Sequence, residues 1–570
     1  MTDTIPRPSD KATFADLYTP KLVTVLRESY GLRAFKSDSL AGLTVAIVAL
    51  PLSMAIAIAS GATPAQGLYT AIIGGFLVSL LGGSRFQIGG PAGAFIVLVA
   101  ATVAQHGMDG LILATFLSGV MMALAGLLRL GTFIKFVPFP VTVGFTSGIA
   151  VIIFASQVRE LLGLDLRDEP GELLGKLPAL WAARDTITPA AVALSLGTIA
   201  VIVGLRRMRP HWPGMLIAVG VTAALTALIG LPVETIGTKF GGIPSSLPIP
   251  RLPDLSADRI MAVLPAALSF TLLGSIESLL SAVVADGMTG RRHRSNCELV
   301  AQGVANLGSA LFTGFCVTGT IARTATNVRA GAHGPMAGML HAVFLLLFMA
   351  IAAPLAAYIP LAALAGVLVV VAWNMIEKPA IAILVRSGRG EALVLAATFF
   401  LTIFRDLTEA IVVGFALGSV LFIHRMSRTT EVAKHSAFVS RDRPDSGAVY
   451  DERAAANPDV VIYRITGALF FGATASIGSV LDQINDEHKA LIVDFSNVPF
   501  LDSTGANMIE GLAHKARKQE VDLWLTGASR DIRRAFIAHG LKRPLVRYAA
   551  SVNEALAKVR GADRAPAEPA

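Results

Sequence analysis

Between about residues 40 and 424 the chain is a succession of apolar stretches. Most of them run for about 17–25 residues, the length that crosses the hydrocarbon core of a bilayer as a helix. The chain is 54% hydrophobic and only 15% charged, whereas soluble domains carry about 25% charged residues. These features predict a polytopic α-helical membrane protein. The polar N-terminal segment, 1–38, lacks the apolar core of a signal peptide, so we expect the first span to be retained.

The apolar stretches divide into about fourteen predicted spans. Their approximate limits are 40–60, 67–82, 90–104, 109–129, 136–157, 188–205, 213–231, 262–285, 298–313, 318–328, 335–357, 360–377, 391–405 and 408–424. Basic residues flank alternate spans on one side of the membrane: Arg27, Arg33, Lys36, Arg129, Lys135, Arg206, Arg207, Arg209, Arg291, Arg292, Arg294, Arg425 and Arg428. By the positive-inside rule that side is cytoplasmic, and an even number of spans places both termini there. We therefore expect a multi-pass inner (plasma) membrane protein with its transmembrane domain over 39–428.

Two of the predicted spans are short and hold corresponding places in the two halves of the chain. "IGGPAGAFIVLVA" (88–100) is the third span of the first half, and "VTGTIARTATNV" (317–328) is the third span of the second. With seven spans in each half, a duplicated half inserts in the opposite sense, as in the inverted repeats of secondary transporters. Each short span predicts extended chain followed by a half-helix, and two facing half-helix N-termini attract a small anion. The alternative is that these glycines only allow close helix packing.

The composition changes after Arg428. The polar stretch 429–458 is predicted to be a linker, and 561–570 a disordered tail. Between them, β-rich runs such as "DVVIYRITGALFFG" and "VDLWLTGAS" alternate with helical patterns such as "TGANMIEGLAHKARKQ". This alternation predicts a small α/β domain over 459–560.

Other classes of protein are not favoured. The net charge of +8 is compatible with nucleic-acid binding, but the basic residues follow a membrane topology instead. Cys297 and Cys316 form no CxxC pair, and the histidines form no HExxH motif. We expect no metal, no cofactor, no nucleic-acid partner and no catalytic constellation, and so no enzyme.

Several motifs in order resemble the sulfate permease (SulP) family, the bacterial relatives of solute carrier family 26. They are "AGLTVAIVALPLSMAIAIASGATPAQGLYTAIIGG", "GGSRFQIGGPAGAF", "GSIESLLSAVVADGMTG", "ARTATNVRAGAHGPMAG" and the STAS-type "VDFSNVPFLDSTG". The resemblance covers about residues 20–560. Within the family, "SIESLL", "DGMTG", "NVRAGA" and "VAWNM" are most similar to the bacterial branch that transports four-carbon dicarboxylates.

This resemblance implies the fold of uracil permeases. Spans 1–4 and 8–11 would form a core domain, and spans 5–7 and 12–14 a gate domain. The substrate would lie between the two half-helices and move by elevator-like displacement of the core. A homodimer with a cytoplasmic STAS domain is also implied.

The resemblance further implies a set of substrate-binding residues, with the lipid bilayer and a small anion as partners. On the third and tenth spans and on the first span these are Gly90, Ala92, Gly93, Thr318, Gly319, Thr320, Ile321, Ala322, Arg323, Leu52 and Ile56. Animal relatives carry bulkier or polar residues at the positions of Leu52, Ile56 and Ala92, so the small Ala92 leaves room for an anion larger than chloride. Arg323 either attracts the anion or pairs with Glu277.

Glu277 stands in the middle of the eighth span, which the resemblance places beside the anion site. Burial disfavours the charged form of an isolated carboxylate, so this group can take up a proton. A proton on Glu277 would favour anion binding, and the reciprocal effect is the coupling that symport needs. A sodium ligand and a purely structural glutamate remain alternatives.

We therefore predict proton-coupled symport of dicarboxylates such as fumarate and succinate, with sulfate second and bicarbonate third. A sodium-coupled bicarbonate or sulfate symporter is the first alternative, and a membrane-anchored sensor that signals through the STAS domain is an alternative of another class. Ser503 and Thr504 lie at a predicted helix start, where the anti-sigma-factor antagonists that the domain resembles are phosphorylated. A plain helix cap is the competing interpretation, and no STAS partner is predicted by name.

Overall fold

The computed structural model describes residues 14–132, 138–166, 170, 173–209, 212–405, 407–428, 431–434, 460–469 and 489–562. The chain divides into two units, Met1–Ala416 and Leu417–Ala570. The described helices up to residue 428 are α1 (Phe14–Tyr18), α2 (Lys21–Arg27), α3 (Leu32–Ala59), α4 (Pro64–Tyr69), α5 (Gly75–Leu81), α6 (Ile96–Leu127), α7 (Phe139–Leu162), α8 (Leu173–Ala182), α9 (Pro189–Met208), α10 (Gly214–Ile229), α11 (Ile236–Phe240), α12 (Ala257–Thr289), α13 (Ser295–Leu311), α14 (Ile321–Arg329), α15 (Met336–Ala356), α16 (Leu361–Met375), α17 (Lys378–Ser387), α18 (Arg389–Phe404) and α19 (Leu407–Arg428). Two short strands, β1 (Gly89–Gly90) and β2 (Thr318–Gly319), interrupt them.

Each predicted span coincides with a helix or with consecutive helical segments. The third and fourth predicted spans share α6, which is interrupted at Gly107, where φ is 69°. Glycine has no Cβ to disfavour this left-handed conformation. Among the described residues, eight helical segments are long and apolar enough to cross a membrane. The count of about fourteen spans and the inverted repeat stay predictions.

Some elements of the first unit differ from the prediction. The first apolar helix begins at Leu32, inside the predicted cytoplasmic segment 1–38. The more polar stretch "LRAFKSDS" forms its first two turns, ahead of the apolar span. Three short helices between or after the spans, α8, α11 and α17, were not predicted. They are too short to show a clear apolar period.

The helices of the first unit pack in two sets. In one set α6 packs against α12 and α13, and α15 packs against α3 and α5. In the other, α7 and α9 pack against α16, and α18 against α7. We call the first the core set and the second the gate set, after the spans that the family resemblance assigns to these domains. Their separate movement stays a prediction.

The second unit contains one five-stranded sheet in the order β3–β4–β5–β6–β7. Its strands are β3 (Glu431–Lys434), β4 (Val460–Thr466), β5 (Ala490–Asn497), β6 (Asp522–Thr526) and β7 (Arg547–Ala549), and its helices α20 (Ser503–Lys518), α21 (Arg530–Ala538) and α22 (Val552–Ala562). Strands β4 to β7 are parallel, while β3 pairs antiparallel with β4. The predicted α/β class is confirmed.

The boundaries of this domain need correction. The predicted linker 429–458 is wrong at residues 431–434, which form β3 and join the sheet. This strand was missed because "EVAK" is too short and polar to show strand alternation. Helix α22 continues to Ala562, into the predicted tail, and the rest of the linker and tail lies outside the described residues.

Asp494 lies in β5, where its carboxylate accepts hydrogen bonds from Arg464 and Ser496. Burial alone would raise the pKa of Asp494, but these bonds hold that pKa below its ordinary value of 3.8. A folded pKa below the unfolded one contributes stability that is complete above the unfolded value and is lost as pH falls through the folded value. We expect the segment 429–570 to lose stability below about pH 4. The Asp494→Asn variant should show a flatter pH dependence in urea denaturation followed by Trp524 fluorescence.

Asp522→Asn is the matched control, since the pair of Asp522 with Arg547 is half-exposed on both sides. Exposed pairs contribute little, so this variant should follow the wild-type pH curve. Parallel curves for Asp494→Asn and wild type would contradict the prediction.

Candidate functional site

The two extended segments meet inside the core set. Strands β1 and β2 pair antiparallel, with Gly89 opposite Gly319 and Gly90 opposite Thr318. One further bond continues the pairing, as the Thr320 N–H donates to the Ile88 carbonyl at 3.0 Å. A half-helix follows each strand: a 3₁₀ turn that leads into α6, and α14. The predicted arrangement of extended chain followed by a half-helix is thus confirmed at both places.

The place where β1 and β2 pair is called the crossing. Helix α12 binds it from one side. The Thr318 hydroxyl donates to the Gly274 carbonyl at 3.2 Å, and Gln87 Nε2 donates to the Ser278 carbonyl at 3.1 Å. Both acceptors flank Glu277 on α12. The crossing and Glu277 are therefore neighbours in space.

Two glycines of the crossing are required by close approach. A Cβ at Gly319 would lie 1.5 Å from Gln87 Nε2, and a Cβ at Gly90 would lie 2.3 Å from Arg323 Nη1. Neither position can hold a larger residue unless the neighbouring side chain moves. Gly90 thus allows a guanidinium to lie against the backbone of β1.

Arg323 is the cation of the site. Its side chain is 2% exposed, and Nη2 donates to the Ser53 hydroxyl at 3.1 Å and to the Pro91 carbonyl at 3.3 Å. Within the described part of the chain, Nε and Nη1 have no hydrogen-bond partner. Removing an unpaired charge from water is costly. The first turn of α14 and this guanidinium together make the crossing positive.

Glu277 is the acid of the site. Its side chain is partly buried, and Oε2 is enclosed without a hydrogen-bond partner among the described residues. Among the described residues, Glu277 Oε2 and the Nε and Nη1 atoms of Arg323 have no hydrogen-bond partner, so the two side chains do not bind each other through these atoms. Both ionisable groups are left with free hydrogen-bonding capacity.

Three of the residues predicted to bind substrate are apolar side chains of the first and third spans. Leu52, Ile56 and Ala92 are buried in the same hydrophobic cluster. A Cβ at Gly93 would approach Met375 Sδ at 3.4 Å and Ile153 Cδ1 at 3.5 Å, so Gly93 faces helices of the gate set. On α14, Ile321 is partly buried, whereas the Ala322 side chain is exposed and contributes only its backbone.

Three polar residues near the crossing were not predicted from the sequence. Ser53 binds Arg323, Gln87 binds α12, and Thr324 accepts from the Ile88 N–H at 3.2 Å. Ser53 follows the predicted site residue Leu52, and Thr324 follows Arg323. Their position next to predicted site residues is the sequence feature that could have identified them. His341 on α15 is also fully buried, and neither ring nitrogen has a partner among the described residues.

Other candidate functional residues lie in the second unit and at the two cysteines. Ser503 and Thr504 are exposed at the start of α20, and Asp502 caps that helix by accepting from the Gly505 N–H at 2.8 Å. Cys297 and Cys316 are free and buried. In the ranges that the structure describes, no three His, Cys, Asp or Glu side chains come together as a metal site requires.

Known proteins resemble this chain along most of its length. The model of the sulfate permease family matches residues 35–398, and the STAS domain model matches 453–555. The "Putative sulfate transporter YvdB" of Bacillus subtilis is 38% identical over 506 residues, covering 88% of this chain and 93% of that protein. The bicarbonate transporter BicA of Synechocystis is 32% identical over 516 residues, covering 88% and 90%.

A solved structure supports the fold. The murine solute carrier 26 family member A9 (Slc26a9) anion transporter, in an inward-facing state, superposes with a TM-score of 0.82. The match covers 98% of this chain and 96% of that one at 16% identity. At this identity the likeness concerns the fold alone.

Proposed function

Because this chain belongs to the sulfate permease family of anion transporters, we propose that it moves a small oxyanion dianion across the membrane together with a proton. The coupling ion and the substrate go beyond what family membership establishes. The observation that carries the proposal is the buried Arg323, whose Nε and Nη1 have no partner among the described residues and lie where the two half-helices begin.

The charge at the crossing suits a dianion. Arg323 supplies one positive charge, and each of two helix N-termini supplies about half a charge. The total is about two positive equivalents, which a dianion neutralises when Glu277 is protonated. With Glu277 ionised, a monoanion suffices. The anion and the proton therefore favour each other's binding, which is the linkage that symport requires.

Movement of the bound anion is proposed to follow the division into two helix sets. The crossing lies within the set that contains α3, α6 and α12 to α15, and Gly93 faces the other set through Met375 and Ile153. Displacement of the first set against the second would carry the site across the membrane. We propose an inner-membrane location, cytoplasmic termini and a homodimer on the basis of the basic loops and the family resemblance.

Each candidate substrate is supported by a different observation. Sulfate is supported by the name given to the Bacillus subtilis relative. Four-carbon dicarboxylates, the second candidate, are supported by the small side chain of Ala92 just after β1, where a bulky side chain would restrict the size of the anion. Bicarbonate, which the Synechocystis relative is named for, is a monoanion and would be transported with Glu277 ionised.

Competition measurements test the substrate class. We expect purified protein in liposomes to take up labelled sulfate or succinate, and excess unlabelled substrate to block that uptake. The Ala92→Phe variant should exclude succinate while sparing smaller anions, because a phenyl ring would fill the space beside the crossing. Ala101→Phe is the control, since Ala101 lies on the same half-helix but its side chain is exposed.

Three outcomes separate the candidates. Succinate uptake that Ala92→Phe abolishes supports dicarboxylate transport. Sulfate uptake without entry or competition by succinate assigns sulfate and removes the argument from pocket size. Absence of uptake of every oxyanion would contradict the proposed function.

A further inference from the structure

Helix α13 carries a line of buried polar side chains. Glu298, Gln302 and Asn306 lie one turn apart on one face, and each is fully buried. Gln302 Nε2 donates to Glu298 Oε1 at 3.0 Å, and Asn306 Nδ2 donates to the Gln302 carbonyl at 2.8 Å. Most buried polar side chains in proteins have at least one hydrogen-bond partner, so the contacts of this line indicate what it holds.

The two ends of this line hold the two segments that form the crossing. At one end, the Ser84 N–H donates to Glu298 Oε2 at 2.9 Å, five residues before β1. At the other, the Val317 N–H donates to Asn306 Oδ1 at 2.9 Å, and Asn306 Nδ2 donates to the Val317 carbonyl at 2.8 Å. Val317 immediately precedes β2. One helix thus binds the chain ahead of both strands.

The bond between Asn306 and Val317 is bidentate. The side-chain amide offers one acceptor and one donor to the N–H and C=O of a single residue, as a neighbouring strand would. The Val317 side chain is also confined, because it packs with Val78 and Ala305. A Cβ at Gly74 would lie 2.2 Å from Val317 Cγ2. Backbone and side chain of Val317 are therefore both fixed.

We propose that Asn306 is a positioning residue for the anion site. By holding Val317 it sets the register of β2 against β1, and with it the place of Thr320 and Arg323. A slip of one residue along an extended segment moves the chain by about 3.3 Å. Displacement of a binding group by about 1 Å already weakens its action strongly. This inference rests on the proposed function, because the anion is the ligand whose binding is measured.

Three variants test the role of Asn306. Asn306→Ala removes both bonds to Val317, and Asn306→Asp keeps the shape but replaces the donor with a second acceptor. Thr398→Ala is the control, since it removes a buried hydrogen bond within α18 and leaves α13, Val317 and both strands unchanged. We expect the KM for anion uptake in liposomes to rise at least about tenfold in both Asn306 variants, with little change in maximal rate. The control should keep the wild-type KM.

Hydrogen–deuterium exchange gives a readout that does not depend on transport. The peptide 313–322 should exchange faster in the Asn306 variants than in wild type and in Thr398→Ala. An unchanged KM, or equal exchange in all proteins, would overturn the proposal. Failure of both Asn306 variants to fold while Thr398→Ala folds would also overturn it, because Asn306 would then be a folding residue. Absence of anion uptake by the wild type would instead remove the proposed function, and the exchange comparison would still decide the role of Asn306.

Discussion

The Arg323→Ala variant is expected to lose anion uptake by at least about 30-fold, because truncating one partner of a buried charged contact costs about 2–5 kcal/mol. Among the described residues, Nε and Nη1 of Arg323 have no partner and can bind the anion at the crossing. The variant would remove this charged contact. Uptake of labelled sulfate and succinate into liposomes measures the loss. Size-exclusion chromatography and thermal unfolding of the same preparation show that the protein is folded.

Two further variants define what Arg323 contributes. Arg323→Lys should restore part of the activity, because it keeps the charge but loses the Nη2 group that donates to both Ser53 and Pro91. Arg329→Ala removes the same charge from an exposed position at the other end of α14 and should leave uptake near wild type. If Arg323→Ala folded and transported normally, the guanidinium would have only a structural role.

The Glu277→Gln variant is expected to lose accumulation driven by a proton gradient while keeping anion exchange. The neutral amide imitates the protonated acid, so the anion can bind, but no proton accompanies it. One coupled proton can drive at most about tenfold accumulation for each pH unit of gradient, which corresponds to 1.36 kcal/mol. With an inward gradient of one unit, the ratio of internal to external substrate should fall from up to about ten towards one.

The control and the competing coupling ion are tested in the same assay. Asp258→Asn changes an exposed acid at the start of α12 and should accumulate substrate as the wild type does. Uptake by wild type that follows a sodium gradient and ignores a proton gradient would make proton coupling wrong. A Glu277→Gln variant that accumulates substrate with unchanged pH dependence would leave Glu277 a structural role only.

Much of the candidate site could be predicted from local sequence. "IGGPAGAF" and "VTGTIARTATNV" indicate extended chain followed by a helix, because glycine and proline are unfavourable inside a helix and threonine is favourable at its N-terminal boundary. The structure has β1 and β2 at these places. Glu277 is recognisable because a carboxylate among apolar residues is rare in a membrane span.

The partners of these residues were not predictable in the same way. Ser53 and Arg323 are 270 residues apart in the chain, and Ile88 and Thr324 are 236 apart. A serine within an apolar helix is common, since it can bond to the carbonyl four residues before it, as Ser53 also does. Its contact with Arg323 depends on how α3 and α14 pack, and no periodic pattern reports that.

The sequence by itself determined the class of this protein, its division into an apolar helical part and an α/β domain, and its family. These properties depend on stretches of neighbouring residues. An apolar stretch must be long enough to cross the bilayer, and strands must alternate with helices to build a sheet that helices cover. The tertiary structure decided that Arg323 lies against Gly90, and that Asn306 holds Val317. Hydrogen bonds depend on distances of a few tenths of an ångström, and those distances exist only after the helices have packed.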